Sequence, residues 1–127
     1  MDNHDQFNTQ TVEVLSHLYQ MFPAEPDIDA SKSANAALLT QTIEFWQRSG
    51  LIRVGQTAEA FNNAAHFFFV GLTLPGLAVL RSPWTDSTTV ATTLGERLVE
   101  LDSESNGSVL IADINIAVSE LLKHLVN

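Results

Sequence analysis

The stretch from Leu38 to Leu80 constrains the fold of this chain most. Leu39, Ile43 and Trp46 recur at the i, i+4, i+7 spacing of one helical face, and Leu38 and Phe45 widen the stripe. Thr40, Gln41, Glu44, Gln47 and Arg48 fall on the opposite side. Ser31 or Ser33 can cap the start of this helix, because a serine oxygen accepts from the free amides of a first turn. Gly50 ends it, since the residue just past a helix favours a positive φ that glycine adopts without a Cβ clash.

Two strands are predicted next. Leu51 to Val54 is rich in branched residues, and His66 to Leu72 in aromatic and branched ones. Asn62-Asn63 supplies a turn between them. Strand alternation puts Phe67 and Phe69 on one face and Phe68 and Val70 on the other. The second aromatic face then needs a cover, from the C-terminal helices or from a partner subunit. Thr73 caps a short helix with Pro75 in its first turn, where a missing N–H costs little.

Helix, Gly50-Leu51-Ile52-Arg53, loop, aromatic strand, then Leu72-Thr73-x-x-Gly76-Leu77-x-x-Leu80 resembles the winged helix-turn-helix superfamily. The resemblance covers residues 9–82. It implies a mainly α (α+β) fold, with a winged-helix-like core of helices plus a β-hairpin wing, and two additional C-terminal helices over residues 86–126. The whole of residues 1–127 reads as a single domain. The resemblance makes the central helix a recognition helix with the outward surface Gln41, Glu44, Gln47 and Arg48. It admits two functions, because this fold serves DNA binding, protein binding and dimerisation alike.

Charge separates them. The chain carries 15 Asp and Glu against 6 Lys and Arg, a net charge of −9. A nucleic-acid surface draws on clustered cations that displace phosphate counterions, and a chain this acidic repels a polyanion at long range. Arg48 is the one cation on the recognition surface, and Glu44, four residues earlier, is placed to pair with it. Gln41 and Gln47 could read adenine edges, but only if phosphate contacts held the helix in the groove. The wing loop 56–65 holds Glu59 and no Lys or Arg. The expected function is a non-catalytic protein–protein interaction module, with a DNA-binding transcriptional regulator as the alternative.

No nucleophile elbow, HExxH, CxxC or phosphate-cradling glycine loop appears, so no enzyme activity, cofactor or metal is expected. There is no cysteine, which excludes disulfides and thiolate metal sites. The N-terminus lacks the pattern of a signal peptide, and the longest apolar run, 109–118, is too short to span a bilayer. These features predict a soluble cytoplasmic protein.

Residues 1–7 are expected to fray, with Asn8 or Thr9 capping a first helix that Pro23 stops near Met21. Its stripe is Leu15, Leu18, Tyr19 and Phe22. Residues 24–30 read as a solvated acidic loop, with room before the central helix for a single short turn or one merged into that helix. Trp84 is expected to plug the junction with the C-terminal part. Asp86 or Ser87 starts a further helix through Leu101, with Val90, Leu94, Leu98 and Leu101 as its stripe, and Gly95 allows close packing. A last helix runs from Ser108 to about Val126. Ile111, Ile114, Val118, Leu121 and Leu125 form a helix-on-helix seam that packs within the chain or forms the interface of a homodimer. Leu110, Ile116, Ala117 and Val126 extend it, so a dimer is expected.

Overall fold

A computed structural model of the chain describes residues 2–59, 64–86, 88–104 and 111–125. Among them, five α-helices pack with a small three-stranded antiparallel sheet. The expected turn at Asn62-Asn63, the capping Ser87, the helix start at Ser108, and Leu110 and Val126 lie outside the described residues.

Helix α1 (Asn3–Met21) begins earlier than the sequence suggests, because the Asp2 carboxylate accepts from the Asp5 N–H and caps it. The first turns do not fray: Phe7 packs edge-on to Phe45 at 5.2 Å and stacks over Trp46 at 6.1 Å. The helix ends at Met21, ahead of Pro23, as expected. Phe22, placed in the buried stripe from its spacing, is instead 40% exposed just past that end.

The 24–30 segment is more than a solvated loop, because Ile28–Asp29 forms strand β1. The short turn expected before the central helix is a 3-10 turn over Ala30–Lys32. Helix α2 (Ala36–Arg48) is then capped by Asn35 rather than by Ser31 or Ser33. Ile43 and Trp46 are buried as the stripe requires. Gly50 takes φ 88°, the left-handed conformation its position demands.

Strands β2 (Ile52–Glu59) and β3 (Ala65–Leu72) pair antiparallel, and β1 joins the far side of β3, giving the order β1-β3-β2. The expected alternation on β3 fails. Phe67 and Val70 are both buried, while Phe69 is 57% exposed. The cause is Phe69 itself, which takes φ 56° and turns the strand over. Pairing runs from Val54–Val70 to Gln56–Phe68 and passes over Gly55 and Phe69. Gly55 has to be glycine there: a Cβ would lie 2.9 Å from the Cβ of Phe69.

Thr73 caps α3 (Leu74–Leu80), and its hydroxyl accepts from Gly76 N–H. The next helix starts later than expected. Residues 88–90 form a turn, Val90 is 89% exposed, and α4 (Leu94–Ser103) is capped by Thr93. The Asp86 carboxylate is used locally, accepting from the N–H and hydroxyl of Thr88. Gly95 does allow close packing: a Cβ there would meet the Tyr19 ring at 2.7 Å. Trp84 packs against the core at the junction.

Helix α5 (Ile111–Leu125) packs on α1, α4 and α3, not across the β2–β3 hairpin. The expected helical cover for the second aromatic face is therefore supplied to α1 instead. One contiguous core joins Leu15 and Leu18 of α1, Trp46, Phe67, Leu80, Leu98 of α4, and Val118 and Leu121 of α5. Helix α1, rather than the Leu38–Leu80 stretch, is the element the others pack around.

Candidate functional surfaces

Helix α2 is fixed by buried polar contacts, one of them from Thr40 on the side predicted to face solvent. Thr40 and Thr42 are buried. The Thr40 hydroxyl accepts from Ala65 N–H at 3.0 Å, tying α2 to the start of β3. The Thr42 hydroxyl bonds Gln10 of α1 and the Leu38 carbonyl. The Trp46 indole N–H donates to the Thr11 hydroxyl at 2.9 Å, deep in the core. These bonds satisfy groups that would otherwise be stranded away from water.

The expected recognition surface is split. Gln41, Gln47 and Arg48 are exposed and Glu44 is half-buried. Gln41 and Glu44 border a cleft of about 330 Å³ between α2 and the hairpin, with Thr40, Thr57, Glu59, Ala64 and Ala65. Gln47 and Arg48 lie outside it. The ion pair expected between Glu44 and Arg48 is not formed: ion pairs among the described residues join Arg53 to Glu25, Arg97 to Glu100 and Lys123 to Glu120. One turn of helix brings the two residues near, but Glu44 leans towards the hairpin cleft. Among the described residues, the cleft lining holds two carboxylates and no cation, so it favours a donor or cation and disfavours phosphate. Thr57 joined the cleft without a sequence signal, because a lone strand threonine has no periodicity that marks it.

The expected dimer seam is spent inside the chain. Ile114, Val118 and Leu121 are buried in the core, and Ile111 and Leu125 are half-buried beside it. A residue at 0% exposure such as Leu121 cannot meet a second copy without unpacking its own helix. Ile116 and Leu122 remain exposed on α5, at 55% and 37%.

A second acidic surface surrounds β1. A groove of about 310 Å³ has Val14, Ile28 and Leu39 as its apolar floor, with Glu13, His17, Asp27 and Asp29 around them. Glu13 keeps contact with water, but partial burial and then the Asp102 carboxylate push its carboxyl above the ordinary glutamate value. The Ser31 hydroxyl and N–H hold the Asp29 carboxyl below the ordinary aspartate value. A third cleft, of about 500 Å³, is lined by Phe22, Pro23, Leu72, Leu74 and Pro75, with the Arg53–Glu25 pair among its walls.

Among the described residues, no three His, Asp or Glu side chains are grouped to hold a metal, and no helix is long and apolar enough to cross a membrane. No protein-family model, curated protein or solved structure matches the chain.

Proposed function

We propose that the chain is a non-catalytic interaction module on a winged-helix scaffold, and that it takes a protein partner through a basic segment. The order α1, β1, 3-10 turn, α2, β2, β3 supports the scaffold. In that family a separate helix precedes the recognition helix; this chain departs from that pattern, and we read the turn at Ala30–Lys32 as its reduced form. The observation that carries the functional reading is the convergence of Glu44 and Glu59 in the cleft between α2 and the hairpin. In a nucleic-acid reader that surface meets phosphates; here it offers them like charge. The same carboxylates are suited to lysine or arginine, and charge complementarity of this kind steers association and selects partners.

The test is capture of partners by the full chain and by Glu44→Lys, with the fold of each checked by circular dichroism. The module reading expects a discrete partner with wild type and its loss with the charge reversal. Equal capture by both proteins would remove the α2 cleft from the account. A DNA-reading role would instead draw on Gln41, Gln47 and Arg48, all of which are solvent-exposed.

A further inference from the structure

Phe69 is the most unusual residue on the surface. It is a bulky aromatic in the left-handed conformation, at φ 56°, and its side chain is displayed to solvent over Gly55. Such a conformation is unfavourable for an L-residue and persists only where neighbours enforce it. Here the neighbours are the residues before β1. The Asp27 carboxylate accepts from Phe69 N–H at 3.2 Å, and the Pro26 carbonyl accepts from Val70 N–H at 2.9 Å. Asp27 is exposed, so one carboxylate both holds the aromatic in place and stands beside it.

Around this pair apolar and aromatic area adjoins carboxylates. Beside β1 lies the apolar groove floored by Val14, Ile28 and Leu39. On β3, His66 and Phe68 stack at 4.1 Å, and Asp29 pairs with His66 across the ladder. Lys32 on the adjacent turn is the nearby cation, and it acts on Asp29. Aromatic faces beside carboxylates attract guanidinium and ammonium groups through the ring quadrupole and ionic hydrogen bonds together. The apolar groove beside them suits a leucine-sized side chain.

We infer that β1 and Phe69 form a docking ridge for a partner segment in which an arginine or lysine neighbours an apolar side chain. The cation sits between the Phe69 ring and Asp27, and the apolar residue fills the groove between α1 and α2. A second copy of this chain is a poor occupant on charge, because each copy carries a net charge of −9 and the two repel. The inference rests on the interaction-module reading and adds to the α2 cleft a second contact for the same basic partner, with an apolar residue beside the cation.

The test is fluorescence anisotropy of the full chain with a labelled peptide of alternating arginine and leucine, and with its glutamate–leucine counterpart. Asp27→Asn removes the charge but leaves an amide oxygen to accept from Phe69 N–H, so the ridge keeps its shape. The expected result is binding of the basic peptide only, weakened about fivefold by Asp27→Asn and about tenfold by Phe69→Ala. Glu104→Gln, an equal charge loss at the far end of α4, leaves it unchanged. Equal weakening by Asp27→Asn and Glu104→Gln would show general charge attraction and overturn the site, as would wild-type affinity in Phe69→Ala. A partner captured from the host and retained by Asp27→Asn and Phe69→Ala would also overturn the site while leaving the module reading standing. Failure of both peptide binding and partner capture would remove both.

Discussion

Replacing Thr11 by valine removes one oxygen and almost no volume, which makes it a sharp probe of the junction between α1 and α2. Thr11 and Trp46 are both at 0% exposure, and their side chains meet at 2.9 Å. Thr11→Val strands the indole N–H away from water, at a cost of about 1–3 kcal/mol rather than the smaller net value of a hydrogen bond. Trp46→Phe removes that donor, so in its background Thr11→Val should cost about 0.5 kcal/mol or less. The difference between the two backgrounds isolates the stranded group from everything else Trp46 contributes, including its ring contacts with Phe7 and Phe45. Urea denaturation followed by circular dichroism measures all four proteins without relying on tryptophan emission. Equal cost in both backgrounds, or a change under about 0.5 kcal/mol in wild type, would refute the buried bond.

Two further outcomes follow from burial and charge. Leu121→Asp places a carboxylate at 0% exposure in the core and should unfold the chain or leave it molten, whereas Ile116→Asp, at 55% exposure, should leave stability within about 0.5 kcal/mol; thermal melts distinguish them, and a folded Leu121→Asp would contradict the packing of α5. Glu13→Gln should stabilise the chain at pH 7 by at most about 0.5 kcal/mol. Because its carboxyl is raised above 4.5 in the fold, the carboxylate penalty appears as pH rises through the folded value, so the gain should vanish at acid pH, and a gain that grows on acidification would be the wrong sign.

Local signals in the sequence carried where a single residue type answers a single backbone demand. Gly50 had to stop α2 because its position calls for φ 88°, and Thr73 with Pro75 could only open a helix. Three things stayed hidden. Strand β1 is two residues long and has no periodicity to detect. Thr40 looked solvent-facing, because its hydrogen bond to Ala65 exists only once the hairpin is in place. Phe69 broke strand alternation because its neighbours hold it in a conformation its own side chain disfavours. The β1 ridge was invisible for the same reasons: Asp27 and Phe69 are 42 residues apart and meet through a feature that propensity argues against. The α5 seam was legible as a contact, but its partner, α1, was not, since periodicity records an apolar face without saying what covers it.

The distinction between a protein module and a nucleic-acid reader is most directly tested by titrating the full chain against a pool of labelled duplex fragments at physiological salt, read by anisotropy. The carboxylates at the α2 cleft and around β1, with the net charge of −9, predict no sequence-selective binding. Selective binding at about micromolar concentration or below, weakening steeply as salt rises, would contradict it.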